Sequence, residues 1–196
     1  MSVVDAGTDD DVLTVAQLKE RARILDGDAD SDALVQSYIT AARLQVERDT
    51  GFALPKQTLA VSFDQAVVSL PYRIPMPPLQ DVTSVIYTDS AGNATDLDLN
   101  LVIAQIDRVS RPGRVIFTAD AFAGLAPPVS VQALGFVVTA GFTAATMPEA
   151  LRFAVGLLAS HYLTAGRDRT VIGTSVLPMP AGYDEVIDAY KLQVLV

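Results

Sequence analysis

The chain has 196 residues, half of them hydrophobic, which is enough for one domain with a sizeable buried core. Its net charge of -9 excludes general electrostatic binding to the phosphates of DNA or RNA. The absence of Cys excludes disulfides, thiolate zinc sites and a cysteine nucleophile.

The N-terminal quarter predicts an arm followed by two helices. Residues 1–11 carry four Asp and no apolar core, so we interpret them as a mobile acidic arm and not as an export signal. A capping box of Thr14 and Gln17 predicts a short first helix. A long second helix is predicted over residues 31–50, ended by Gly51. Its apolar side chains form two neighbouring stripes, which we expect to be covered by other helices or by a neighbouring subunit. The stripes are Val35, Ile39, Ala42 and Val46 and, beside them, Leu34, Tyr38 and Ala41.

The hydrophobic period changes to that of strands in the middle of the chain. A proline-rich segment at 71–78 predicts a stiff extended connector, and Gly135 is a candidate β-bulge. The predicted strands are 58–63, 67–70, 82–88, 95–99, 101–109, 115–118 and 131–139.

Two helices are predicted at the end. Pro148 and Glu149 indicate the start of a helix that stops at Gly166 and is apolar on nearly all sides. The longest uncharged run of this helix is too short to cross a membrane. Residues 183–194 predict a last amphipathic helix. The predicted fold class is α+β, a small helical bundle of two N-terminal and two C-terminal helices with a β-rich insertion. We expect one domain over residues 12–196, with helices at 12–51, the insertion at 57–140 and helices again at 147–196.

The sequence shows no motif for catalysis. It lacks a nucleophile elbow, a dinucleotide fingerprint and a phosphate loop. The single His161, on an apolar helix, fits a hydrogen-bonded core residue better than a metal ligand. We therefore expect no enzyme, no cofactor and no metal, although a carboxylate pair assembled by the fold stays open.

The alternative function is a calcium-binding helix–loop–helix protein that uses Asp26, Asp28, Asp30 and Asp32. Alternating carboxylates between two helices are typical of such loops. A loop that begins at Asp26 has Ser where the EF-hand pattern requires Gly and a bidentate Glu, which favours helix capping instead.

The last residues are apolar, where chain ends are usually polar. They either pack on the helices of their own chain or dock into a partner. In the docking hypothesis Arg167 and Arg169 add charged contacts. The full set of candidate docking residues is Arg167, Arg169, Tyr183, Tyr190, Leu192, Val194, Leu195 and Val196.

Short motifs recur in order along residues 12–191. They are Leu13-Thr14 to Leu18-Lys19, Asp32 to Gly51, Pro77-Pro78-Leu79, Val82 to Val85, Arg111-Pro112-Gly113-Arg114, Ala140-Gly141-Phe142, Pro148 to His161, and Leu177 to Tyr190. In order and spacing they resemble the head–tail connector (adaptor) family of tailed bacteriophages and gene transfer agents. The long β-rich middle differs from the smallest, nearly all-helical members of that family.

The resemblance implies a structural virion protein without catalytic residues. Such a protein forms a ring beneath the portal, in such families usually with its twelve-fold symmetry, extends the DNA channel and offers the attachment site for the tail. The implied partners are the portal protein, tail-side neck or terminator proteins and further copies of the chain, with no membrane. DNA would pass through the channel without specific binding. The implied location is the neck of a particle assembled in the bacterial cytoplasm, with the docking residues above binding the portal.

Overall fold

The computed structural model describes residues 1–23, 32–167 and 180–191, except for the side chains of residues 10 and 165–167. The chain divides into two compact units, where the sequence predicts a single domain with an insertion. The sheet unit is Met1–Gly7 with Lys56–Gly141, and the helical unit is Thr8–Pro55 with Phe142–Val196. Helices and antiparallel sheets are both present, so the α+β prediction is confirmed.

The elements follow one another from β1 to α5. In chain order they are β1 (Ser2–Asp5), a 3-10 turn (Asp9–Asp11), α1 (Val15–Arg21), α2 (Asp32–Thr50), β2 (Gln57–Phe63), β3 (Tyr72–Ile74), β4 (Leu79–Thr88), β5 (Ala94–Asp96), α3 (Leu99–Val102), β6 (Ile103–Asp107), β7 (Gly113–Phe117), β8 (Leu134–Ala140), α4 (Glu149–Arg167) and α5 (Tyr183–Asp188).

The predicted start of α1 and the predicted end of α2 agree with the structure, whereas the last helix ends at Asp188 and residues 189–191 of its predicted range are not helical. The Thr14 hydroxyl accepts the backbone N–H of Gln17 at 3.2 Å, and the Gln17 side chain accepts the N–H of Thr14 at 2.9 Å. This reciprocal pairing satisfies two amides that would otherwise lack partners at the start of α1. Gly51 has a φ of 78°, the left-handed conformation that ends α2 without a Cβ clash.

The core of the helical unit is formed by the inward stripes of α2 and α4, with α1 and α5 against them. Segments on either side of the helices complete it through Leu13, Phe52 and Phe142. The stripes are Val35, Ile39, Ala42 and Val46 of α2 and Leu151, Val155, Leu158 and Leu163 of α4.

The sheet unit contains two antiparallel sheets. One has five strands in the order β1-β2-β8-β4-β5, and the other has three in the order β3-β7-β6. Gly135 pairs in regular register with Ser62 and Ile86, so the predicted bulge there is wrong. The register shifts fall instead along β4, where it pairs with β8.

One predicted strand of the middle, 67–70, is not a strand, and a helical turn occupies the adjoining ends of the predicted strands 95–99 and 101–109. Residues 67–70 form a turn, because the Tyr72 hydroxyl accepts the N–H of Val67 at 2.6 Å and donates to the carbonyl of Gln65 at 2.9 Å. Residues 99–102 form one helical turn capped by the Asp98 carboxylate, which accepts the N–H of Asn100 at 3.0 Å. These side-chain bonds to nearby backbone compete with pairing into a sheet.

Aromatic rings fill the space between the two sheets. Phe136 of β8 lies 5.5 Å from Tyr72, 5.8 Å from Phe117 and 5.5 Å from Phe63, measured between ring centroids. Spacings and tilts of this kind are favourable for aromatic pairs. The two sheets of this unit are therefore packed face to face on an aromatic core.

The N-terminal residues differ from the predicted mobile arm. Residues 2–5 form β1, which pairs with β2 at the edge of the larger sheet, and Asp9 is an ion-pair partner of Arg43. None of the described helices combines the length and hydropathy needed to span a bilayer.

Candidate assembly surface and the C-terminal helix

The outer stripe of α2 leaves apolar side chains in water. Leu44 is 52% exposed, and Leu34 and Ala41 are also exposed, with half-buried Tyr38 between them. These four residues recur at helical spacing on one side of the helix, and we call them the α2 stripe. The sequence predicted Leu34, Tyr38 and Ala41 of this stripe and their need for a cover, and the structure adds Leu44.

Helix α4 exposes one large aromatic side chain. Phe153 is 48% exposed, and the Arg21 guanidinium lies 5.9 Å from the centroid of its ring. Gly156 makes room for that arginine, since a Cβ at this position would come within 2.6 Å of its Nη1. Phe153 is thus partly shielded by a cation–π contact and is otherwise free to meet a neighbour.

A buried ionic cluster fixes α2 in place. The Arg43 guanidinium is paired with Asp9 on one side and with Glu47 on the other, the latter at 2.9 Å. All three side chains are nearly or fully buried. The second Glu47 oxygen accepts the N–H of Leu54 at 2.8 Å. One cation therefore ties α2 to the segments before and after it.

Further polar groups of α2 complete the shell around Asp9. Its carboxylate also accepts bonds from Gln36, at 3.0 Å, and from the Thr40 hydroxyl. A buried carboxylate is stable only when its oxygens are satisfied in this way. The sequence analysis missed this cluster because it assigned Asp9 to an arm. The available signal was a charged pair at i and i+4, Arg43 and Glu47, at the edge of the buried stripe.

Helix α5 is attached to α2 through Tyr183. This side chain is only 1% exposed, and its hydroxyl donates to Asp49 at 2.8 Å. Burial, together with that bond to Asp49, holds the pKa of Tyr183 far above its usual range. Tyr190 follows, half-buried, with its ring centroid 6.3 Å from that of Phe52 in an edge-to-face arrangement.

The structure describes two of the predicted docking residues in full, Tyr183 and Tyr190. Tyr183 is buried within its own unit, so it anchors α5 and cannot itself touch a partner in this conformation. Tyr190 keeps part of its surface free. The side chain of Arg167 at the end of α4 is not described, and Arg169, Leu192, Val194, Leu195 and Val196 lie outside the described residues.

The acidic turn before α2 is described only at its end. Asp32 forms an ion pair with Lys19 at 2.5 Å, and Asp26, Asp28 and Asp30 lie outside the described residues. Across residues 1–23, 32–167 and 180–191 no group of three or more potential ligands is arranged to hold a metal ion. His161 is half-buried on α4, and its ring centroid lies 6.3 Å from that of Tyr162.

A second charged cluster, also missed by the sequence analysis, lies at the turn between β6 and β7. Asp107 accepts the hydroxyl of Ser110 at 2.6 Å and the guanidinium of Arg114 at 2.7 Å. The bonds from Ser110, with help from Arg114, hold the pKa of Asp107 well below its usual range. This cluster fixes the shape of an exposed turn.

The N-terminal third of the chain matches a known family. Residues 12–73 match the model of a family described as Phage gp6-like head-tail connector protein. The matched region contains the α2 stripe and the Arg43–Glu47 pair. The resemblance of the chain to head–tail connectors, inferred above from its motifs, is thereby confirmed. No curated protein matches the chain.

Solved structures of gene transfer agents share the fold over nearly the whole chain. A chain in "Virion of native gene transfer agent (GTA) particle" has 24% identity and a TM-score of 0.75, covering 99% of this chain and 96% of its own length. A chain in "Neck of empty GTA particle computed with C6 symmetry" has 24% identity and a TM-score of 0.70, covering 100% and 98%. A chain in "Neck of native GTA particle computed with C12 symmetry" has 21% identity and a TM-score of 0.72, covering 100% and 98%.

Proposed function

Because residues 12–73 carry the pattern of head–tail connectors, we propose that this chain is a structural adaptor in the neck of a gene transfer agent or phage-like particle. The family match is the observation that carries the proposal. The fold shared with chains of neck structures supports it. In this role the chain forms a ring beneath the portal protein, extends the DNA channel and presents the attachment site for tail-side neck proteins.

The α2 stripe and Phe153 supply the contact between copies. Fully burying a Leu or Phe side chain stabilises a protein by about 1.5–3 kcal/mol. Because Leu34, Leu44 and Phe153 are exposed in the single chain, a neighbouring copy that covers them gains part of this free energy. Head-to-tail contacts of this kind close into a ring when the rotation per copy divides a full turn. One similar neck structure was computed with twelve-fold symmetry, which supports a ring of twelve copies.

The acidic balance of the chain suits the wall of a DNA channel. A net charge of -9 repels phosphates, so DNA slides past the ring instead of sticking to it.

The C-terminal segment supplies the contact with the portal. Tyr183 anchors α5 on α2, so the chain is held firmly just before its apolar end. Leu192, Val194, Leu195 and Val196 insert into an apolar groove of the portal, and Tyr190, Arg167 and Arg169 flank that contact.

The contact between copies is tested by Leu44→Gln. The variant is expressed in cells that lack the native gene. The necks of the particles that these cells make are then imaged by electron microscopy. We expect a folded subunit that is lost from the neck, because a polar group then faces the neighbour. The matched control is Val109→Gln, the same kind of change at an exposed residue of the sheet unit, which we expect to be incorporated. Normal necks with Leu44→Gln would contradict the assigned contact.

Deletion of residues 192–196 tests the portal contact separately. We expect the truncated chain to keep its thermal stability and to be absent from portal-containing heads in a pull-down with portal. If truncated and full-length chains join heads equally well, the C-terminal docking role is wrong, whereas the ring itself is not affected by that result.

A further inference from the structure

Strand β1 is attached to β2 by backbone pairing. It pairs antiparallel with β2, with Ser2 opposite Ala60 and Val3 opposite Leu59. All four of its side chains are exposed, so none of them contributes to the core. Edge pairing without side-chain burial is the weakest way to attach a strand.

The chain passes from the sheet unit to the helical unit directly after residues 1–7. Gly7 has a φ of 64°, a conformation that glycine adopts without strain, and it is the last residue of the sheet unit before the helical unit begins at Thr8. Two residues later Asp9 is fixed by its ion pair with Arg43. The chain is thus fixed at Asp9, whereas the segment before it, residues 1–7, which we call the arm, is held by the pairing of β1 with β2.

The arm also carries apolar side chains that its own chain leaves in water. Met1 is 61%, Val3 48% and Val4 63% exposed. On the other side of β2 lies β8, so the edge of β2 that takes β1 has room for one strand only. That edge is a specific acceptor for residues 2–5, whichever copy of the chain supplies them.

We propose that in the assembled ring β1 of each copy pairs with β2 of the adjacent copy. Exchange costs little because the same backbone pairs re-form in the same register. It also places Met1, Val3 and Val4 between two copies, where they become covered, and this gain is absent in a lone subunit. Each copy gives one arm and accepts one, as a closed head-to-tail ring requires. The inference rests on the ring of the proposed function and specifies how its subunits are linked.

The absence of native cysteines makes the exchange measurable. Ser2→Cys and Ala60→Cys are made as separate single variants, because the two positions face each other in the pairing of β1 with β2. The two variants are supplied together to cells that assemble particles without the native gene. Purified particles are then treated with a short bismaleimide cross-linker, which tolerates the spread of cross-strand distances better than a disulfide does.

Exchange predicts a covalent dimer of the two variants in the particles. The matched control mixes Ser2→Cys with Ser130→Cys, an exposed serine of the same unit that does not pair with β1, and should give no dimer. The double variant Ser2→Cys/Ala60→Cys reports the register itself. Within particles it should give a ladder of covalent multimers.

Two results would overturn the exchange. A mixture without dimer, together with a double variant cross-linked only as a monomer, means that each arm stays on its own chain. Free thiols in the double variant mean that the pairing of β1 with β2 is itself wrong in the particle. The proposed function fails separately if the unsubstituted chain is absent from the necks of the particles. That result would also remove the ring on which the exchange depends.

Discussion

The two units of this chain are stabilised in different ways. The buried residues of the sheet unit are apolar apart from Gln57, and its two sheets meet on a cluster of aromatic rings. In the helical unit the apolar core is joined by buried Arg43 and Glu47, with Asp9 beside them. Aromatic packing is broad and tolerates adjustment, whereas a buried charge must keep its partners in place. The comparison teaches that geometry is most tightly defined around α2, which carries the proposed contact surface.

The comparison is tested most strongly by Arg43→Met. The variant leaves two nearly buried carboxylates, Asp9 and Glu47, without their cation, which typically costs about 3–5 kcal/mol. Urea denaturation followed by far-UV circular dichroism measures the loss. Arg48→Met is the matched control on the exposed side of the same helix and should change stability by less than about 0.5 kcal/mol. Equal effects of the two changes would mean that the cluster does not fix α2.

A smaller effect is expected from Phe136→Leu in the sheet unit. The side chain remains apolar, but its aromatic contacts with Tyr72, Phe117 and Phe63 are lost, for a cost of roughly 1–2 kcal/mol. Phe153→Leu makes the same change at a half-exposed position and should be almost neutral in the isolated chain. A loss at Phe136 as large as that at Arg43 would remove the contrast between the units.

The smallest effect concerns the dependence of stability on pH. The folded pKa of Asp107 is depressed, so its contribution is complete above the unfolded value of about 4 and is lost as the pH falls below it. Asp107→Asn should therefore reduce the loss of stability between neutral and acidic pH, as measured by thermal melts across that range. Asp120→Asn, at an exposed position of the same unit, is the control. An unchanged acid dependence with Asp107→Asn would show that the turn adds nothing to stability.

Local patterns in the sequence were sufficient for most elements. Three helix ends lie within one helical turn of the residues that predict them. They are the start of α1 at Thr14, the end of α2 at Gly51 and the start of α4 at Glu149. The same holds for the two stripes of α2, since helical spacing by itself assigns side chains to faces. The family resemblance likewise depends on motif order, which is a property of the sequence.

Contacts between distant residues could not be predicted in the same way. Strand β1 exists because a distant edge of the chain accepts its backbone, as in the pairing of Val3 with Leu59. The acidic composition of residues 1–11 favours solvent and gives no sign of that edge. For the same reason the sequence could not show that Tyr183 turns inward to Asp49 and leaves the surface.

The sequence by itself determined the helices, the strand-rich middle, the acidic charge and the lack of catalytic motifs, because each depends on composition or on residues a few positions apart. Only the tertiary structure decided that Asp9, Arg43 and Glu47 form one buried cluster and that the α2 stripe remains exposed. Burial and ion pairing depend on which segments meet in space, and that is settled by the packing of the whole chain.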